Sequence, residues 1–327
     1  MTRLSMAHQT DRQRRRVPRT PRDAFTLIEL LIVIAVIALM VGLLFPALRS
    51  VRQSSGLVRE LSTARQLMVA YRSYAYENRS MLLPGYYNND QVGVPQPLPA
   101  FDRSGERLDG GAAYRYPWRI APFLDYNLRG LYLDALLQTR LDSDPNVDSH
   151  YLLSVYPSMG INGVFVGGDS EFSGFLADNP NIPQDAIPDV ARNFYARRIT
   201  DVRLPPQLIV FASARIDGQL AVDNAAVTEG FHKLKPPRFR SSGGQPPWPE
   251  QYVKDCTNGC DTAAFGHVSL RHPGLAAAVG FFDGHTGTLT YGFDPNSPNG
   301  DPGIQDNIRD MRHWAPRANR FDWEVEF

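Results

Sequence analysis

The sequence predicts an α+β protein: one long N-terminal helix, membrane-spanning in its first half and amphipathic in its second, packed on a mostly antiparallel β-sheet head. Three observations predict it. Phe25 to Leu48 is apolar or small at every position except Thr26 and Glu29. Beyond that run, apolar residues recur at mostly three- and four-residue steps as far as Asn78. From Met81 the chain changes character, with short apolar segments set among prolines, glycines and aromatics. The divisions expected are a basic leader over 1–24, a helix over 25–80 and a head over 81–327.

The leader comes first. The chain holds 34 basic and 34 acidic side chains, but the balance is uneven. Residues 1–24 carry Arg3, Arg12, Arg14, Arg15, Arg16, Arg19 and Arg22 against only Asp11 and Asp23. A basic cluster of this kind also occurs in nucleic-acid-binding segments. Directly before a long apolar run it reads instead as a cytoplasmic flank obeying the positive-inside rule. No nucleic-acid partner is expected.

The apolar run follows. Its 24 residues make about 36 Å of helix at 1.5 Å per residue, enough to cross a hydrocarbon core of about 30 Å. A cleavable secretory signal has a shorter apolar core of about 7–15 residues and a small-x-small site, and Ala47-Leu48-Arg49 makes a poor one. The expectation is a single-pass inner-membrane protein, its N-terminus cytoplasmic and its head periplasmic or otherwise extracytoplasmic. Glu29 stands out in this setting. A carboxylate in lipid costs about 2.5–3.5 kcal/mol on insertion scales and marks a functional position by default. Its place near the cytoplasmic end also allows it to reach the headgroups, and residue type and depth leave both readings open.

The stretch "AFTLIELLIVIAVIALMVGLLFPAL" resembles the N-terminus of type IV pilins and of the pseudopilins of type II secretion systems. In that family a basic leader ends in a small residue, usually Gly, and a membrane aspartyl peptidase cuts before Phe or Met. The new amine is N-methylated, and a Glu occupies the fifth mature position. The resemblance places the cut between Ala24 and Phe25, makes Glu29 that fifth residue, and matches Pro46 to a helix-kinking proline common in the family. Ala24 departs from the usual Gly. The resemblance implies a structural subunit of a pilus- or pseudopilus-type filament, with prepilin peptidase, the cytoplasmic membrane, other copies of itself and other pilin-like subunits as partners. It also implies a role for the charge. A carboxylate that meets a neighbour's N-terminal amine loses most of its burial penalty, so only the paired register is tolerated. The alternative is a membrane-tethered periplasmic binding module that does not polymerise.

Past Pro46 the apolar stripe is Val51, Leu57, Leu61, Ala64, Met68, Tyr71 and Tyr74, with Arg52, Arg59, Glu60, Arg65 and Arg72 expected on other faces. "ENRSMLLPG" supplies the stop. Either one kinked helix or an anchor helix followed by a separate first helix of the head satisfies this pattern. In the head, "YLLSVYPSMGINGVFVGG" (Tyr151–Gly168), "LPPQLIVFAS" (Leu204–Ser213) and "LAAAVGFFDGHTGTLTYG" (Leu275–Gly292) read as strands with turns. Asp283-Gly284 marks a hairpin in the last. "LRGLYLDALLQTRL" (Leu128–Leu141) reads as a short helix, and "GGQPPWPE" and "PNSPNGDPG" as loops. Together these give an antiparallel sheet packed on the second half of the long helix.

A second resemblance lies near the end. "RHPGLAAAVGFFDGH" is similar to a His-x9-Asp-Gly segment of large prepilin-like proteins. Here ten residues separate His272 from Asp283, and the extra one is expected to form a bulge. His267, His272, Asp283 and His285 invite a metal reading if paired strands bring His272 near His285. The same residues also serve as turn and strand-end positions satisfied by backbone.

Oxygen-rich loops suit calcium. "LDSDPNVDS" alternates Asp142, Asp144, Asn146 and Asp148, but it has Leu153 where an EF-hand requires Glu, so it reads as a plain acidic loop. Asp294, Asn299, Asp301 and Asp306 form the candidate calcium set, because major pseudopilins carry a calcium loop in a similar place. Cys256 and Cys260 are the only cysteines, and in an oxidising compartment they read as a disulfide; zinc would need further ligands. The P-loop, zincin and nucleophile-elbow motifs are absent, so no enzyme is expected.

Overall fold

A computed structural model describes residues 26–88, 98–133, 149–172, 194–217, 227–238, 261–291 and 308–319, with isolated positions such as Phe175, Trp248, Tyr252 and Trp323. The chain divides into two compact units, Met1–Val51 and Arg52–Phe327. Helix α1, Leu27–Glu77, contributes to both. The architecture is α+β.

In the first unit, Leu27–Phe45 is long and apolar enough to cross a membrane, and none of its side chains is buried. Apart from Glu29 the helix is apolar all round, and no described residue covers it, which suits an apolar surrounding. The helical run continues through Pro46. Proline has no N–H, so the carbonyl of Gly42 receives no helical hydrogen bond from it.

In the second unit, α1 buries Glu60, Ala64, Leu67, Met68, Tyr71, Tyr74 and Ala75. These recur at three- and four-residue steps and form one side of the helix. The helix stops where Asn78 donates its backbone N–H and its Nδ2 to the Tyr74 carbonyl, at 3.0 and 2.8 Å. Arg79 and Ser80 then both take positive φ, which ends the helical path. The stripe expected from sequence is shifted: Val51 is 63% exposed, whereas Glu60, expected on a solvated face, is fully buried.

The head begins with a short pair, β1 (Ala100–Phe101) and β2 (Arg107–Leu108), then α2 (Gly110–Tyr114), α3 (Tyr116–Ile120) and α4 (Ser149–Val155). Strand β3 (Met159–Ile161) starts the main sheet, which continues with β4 (Ile209–Ser213). A two-residue pair, β5 (Ile216–Asp217) with β6 (Val227–Thr228), precedes β7 (Ala276–Phe281) and β8 (Thr286–Thr290). The main sheet has the order β3-β4-β7-β8 and is antiparallel throughout.

Every residue of β4 and β7 is buried, which explains why "IVFAS" and "AAAVGF" read as continuous rather than alternating apolar runs. The Tyr71 ring meets Phe211 edge-on at 5.8 Å and Phe282 at 6.5 Å, seating α1 on the sheet. Gly280 permits the approach, since a Cβ there would lie 2.9 Å from Met68 Cγ. Asn162 donates Nδ2 to Ile209 O at 3.0 Å and Trp314 O at 2.8 Å, tying the sheet to the C-terminal region.

Two expectations change. Tyr151–Val155 closes helix α4 instead of forming a strand, because a short apolar run does not distinguish the two. The first residues of the helix expected over 128–141, Leu128–Leu131, form a 3-10 turn that ends in extended Tyr132; most of the rest of that segment, and most of the loops "GGQPPWPE" and "PNSPNGDPG", lie outside the described residues. The Tyr132 hydroxyl donates to the Leu153 carbonyl, so tertiary anchoring overrides helix propensity there.

Candidate functional site

Two groups of residues carry the functional argument, one in each unit. In the first, Thr26 precedes helical residues Leu27 and Ile28, and Glu29 is the third residue of α1. The Glu29 N–H donates to Thr26 Oγ1 at 3.3 Å, and Glu29 Oε2 accepts from Thr26 N at 2.9 Å and Thr26 Oγ1 at 2.7 Å. This is a capping box. It satisfies helix-end donors that lipid cannot, and it sets a carboxylate at the positive end of the helix dipole. The T-x-x-E spacing is the sequence signal for this cap, and the reading of Glu29 as a lone intramembrane charge passed over it. Ala24 and Phe25 lie outside the described residues, and Pro46 is described only through its backbone.

In the second unit, the Arg271 side chain lies at the centre of a buried charge cluster. Its Nε donates to Glu60 Oε2 at 3.1 Å, and Nη1 donates to Glu229 Oε2 at 2.6 Å and the Ala214 carbonyl at 2.9 Å. Nη2 donates to Glu60 Oε1 and to the Ser158 carbonyl. A guanidinium has five N–H donors, and all are engaged. His272 Nε2 contacts Glu60 Oε2, so an ionised Glu60 requires the hydrogen on Nε2. Ser269 Oγ donates to Glu229 at 2.8 Å. Burial pushes the Glu60 carboxyl up, but the Arg271 guanidinium and the donors from His272 and Arg271 outweigh it and hold it below its ordinary value. The arrangement is closed: every charge has a partner, and it fastens α1 to the sheet.

The fastening is repeated along the segment that follows. Arg271 and His272 meet Glu60, Gly280 packs on Met68, and the Asp283 carbonyl accepts from Arg72 Nη1 at 2.8 Å. The helix advances about 18 Å from Glu60 to Arg72 at 1.5 Å per residue. His272 pairs with Ala276, and the five steps of β7 from Ala276 to Phe281 span about 17 Å at 3.3 Å each. The two elements therefore keep step, and "RHPGLAAAVGFFDGH" is a strap laid along α1. The β7–β8 ladder is regular. The register shift falls between β4 and β7, where Ile209 faces Phe281 and Phe211 faces Gly280, so the bulge sits on the neighbouring strand. Phe282, Asp283 and Gly284 form the hairpin loop, with Gly284 at φ +98°, as a short hairpin loop closing on a left-handed residue requires.

The histidines are not brought together. His272 stands at the start of the strap and contacts Glu60, while His285 stands beyond its far end with Nδ1 2.5 Å from Asp283 Oδ1. His267 Nδ1 lies 3.2 Å from Thr262 Oγ1, and burial pushes its pKa down to about 3. Among the described residues no group of three or more His, Cys, Asp or Glu side chains is placed to hold a metal ion. Cys256, Cys260, Asp142, Asp144, Asn146, Asp148, Asp294, Asn299, Asp301 and Asp306 lie outside the described residues.

One further buried acid is notable. Asp169 Oδ1 accepts from the Glu171 N–H at 2.9 Å, while Oδ2 has no hydrogen-bond partner. Burial raises its pKa to about 7 against the opposing pull of Lys233. Lys233 itself pairs with Glu171.

Residues 19–45 match the family model for the prokaryotic N-terminal methylation motif. No curated protein and no solved structure matches the chain. The motif is consistent with a type IV pilin-like chain, and it implies processing by prepilin peptidase and assembly with pilin-like subunits in the membrane.

Proposed function

We propose that this chain is a structural subunit of a type II secretion-like pseudopilus or related pilus-type filament, and not an enzyme. The observation that carries the reading is the methylation motif over 19–45, coinciding with an apolar helix whose first turn holds Glu29. The subunit is inserted with its arginine-rich leader in the cytoplasm and its head on the other side. It is cut after Ala24, methylated on Phe25 and assembled through α1. In the filament Glu29 exchanges its Thr26 contacts for the amine of Phe25 on an adjacent copy. An unpaired charge in an apolar surrounding is penalised heavily, so the pairing selects one packing register.

Mass spectrometry of the native polypeptide tests the reading. A chain beginning at methylated Phe25 is expected; one that retains the arginine-rich leader overturns it. Glu29→Leu is expected to insert normally and fail to assemble, and normal incorporation of that variant would remove the proposed role of the charge. A cavity of about 270 Å³, lined in part by Tyr74, Met81, Tyr87 and Phe175, favours the second reading, a tethered binding module. An uncut anchor supports that alternative.

A further inference from the structure

We infer that the head binds a small aromatic carboxylate in the cavity beside the C-terminal end of α1, with the buried Arg119 supplying the charge that selects an anion. The site lies wholly in the second unit and holds under either reading of the anchor. Its cavity, of about 270 Å³, lies between two separate apolar clusters. Tyr74 and Leu82 on one wall belong to the main core, whereas Tyr87 and Phe175 form a cluster of their own with Leu98 against it. The Tyr87 and Phe175 rings meet edge-on at 4.9 Å, a wall that a further ring can extend by the same geometry. The volume falls below the range of about 300–1,000 Å³ typical of ligand pockets. It therefore suits one ring with a short chain, whose apolar body would join the two clusters.

The sign of the charge follows from Arg119. It is 5% exposed, and its guanidinium carbon stands 5.3 Å from the centre of the Tyr87 ring. Nη1 donates to the Tyr114 carbonyl at 3.0 Å and Nη2 to the Tyr87 carbonyl at 2.9 Å, while Nε has no acceptor. Both acceptors are neutral. Among the described residues no carboxylate pairs with this guanidinium, whereas the buried Arg271 meets both Glu60 and Glu229. Burial pushes the Arg119 pKa down to about 10, which still leaves the group charged near neutrality. A buried charge without a counter-charge is costly, and its field falls on Tyr74 and Tyr87, which line the cavity. No Asp or Glu is among the described lining residues, and the charged one is Arg197. Aromatic walls alone would also attract a cation. Here Arg119 already occupies one face of Tyr87, so a cationic guest is repelled and an anionic one drawn in.

Equilibrium dialysis of the full chain in lipid nanodiscs tests this, with empty nanodiscs as the blank. Three radiolabelled probes share one apolar body and differ in charge: hydrocinnamate is anionic, hydrocinnamamide neutral and phenylpropylamine cationic. The expected result is saturable binding of one hydrocinnamate per chain, about ten-fold tighter than the amide, with the amine weakest. Leu98→Trp fills the cavity without touching the cation and should abolish binding of both carboxylate and amide, the near-ultraviolet circular dichroism of the fold being kept. Arg119→Met should lower hydrocinnamate to the level of the amide and leave the amide unchanged. The ranking in the unaltered chain and its loss in Leu98→Trp decide the matter should Arg119→Met fail to fold. Equal binding of the three probes, a preference for the amine, or no saturable binding of hydrocinnamate overturns the proposal. Hydrocinnamate binding that survives Leu98→Trp, or a carboxylate preference that survives in folded Arg119→Met, overturns it too. The N-terminal mass of the same sample reports on processing, so failure of the site leaves the assembly reading untouched.

Discussion

Arg72 Nη1 donates to the main-chain carbonyl of Asp283 at 2.8 Å, so the tip of the β7–β8 hairpin is tied to the same helix that receives Arg271 and His272 at Glu60. The strap is held at both ends and packed at its middle, and its consequences are separable by substitution.

Glu60→Ala removes the carboxylate that faces Arg271 and His272 and leaves a buried guanidinium short of a partner. The expected loss is about 3–5 kcal/mol, read as a lower urea midpoint of tryptophan fluorescence for the full chain in detergent. Glu60→Met combined with Arg271→Met is expected to lose less than Glu60→Met alone, because the charge then left without its guanidinium, Glu229, is partly exposed. The Glu60 carboxyl is held below its ordinary value of 4.5. Its contribution is therefore present above that value and fades as pH falls through the lower folded one.

Asp169 works in the opposite sense. Its ordinary value is 3.8 and its folded value about 7, so the neutral form favours the fold. That contribution is complete below the ordinary value and is lost as pH rises through about 7. Asp169→Asn stays neutral throughout. Its stability relative to the parent should grow by on the order of 1 kcal/mol per pH unit between those values, and urea titrations at pH 4, 6 and 8 measure it.

Gly280→Ala sets a methyl 2.9 Å from Met68 Cγ and is expected to cost about 1–3 kcal/mol through overpacking. Met68→Ala in the same chain should recover part of that, giving a coupling term of favourable sign in a double-mutant cycle. Additive losses would mean the strap and helix are not in contact there.

Thr26→Val keeps the size of the side chain but deletes the hydroxyl that accepts from Glu29 N. A lost cap is worth about 1 kcal/mol, roughly five-fold in an opening equilibrium. Amide exchange at Ile28–Leu30 in micelles should accelerate by that factor, and Thr26→Ser should restore it.

Much of this was legible in the residues. The long helix announced itself through an apolar run followed by a three- and four-residue rhythm, and its end lies one residue from the position that the "ENRSMLLPG" stop indicated. Strand β4 and the β7–β8 hairpin were equally plain, the latter because Asp283-Gly284 interrupts two strand-like segments. Glu60 was hidden by a default: charge on an amphipathic helix is assigned to the solvent side. The corrective signal was present, since Glu60 precedes Ala64 by four residues and Tyr71 by eleven, both on the buried side. Its partners could not be read, because Arg271 is distant in sequence and pairing across that distance leaves no local mark. Tyr151–Val155 was misread for a different reason: in so short an apolar segment neither rhythm completes a cycle.

The reciprocal bonding of Thr26 and Glu29 has a consequence for timing. Thr26 gives the carboxylate two hydrogen bonds but no opposite charge, so the acid of a solitary copy is held in place without being neutralised. Under the proposed assembly, an arriving amine must first displace those two bonds, and the recruiting step then carries a local cost beside its gain.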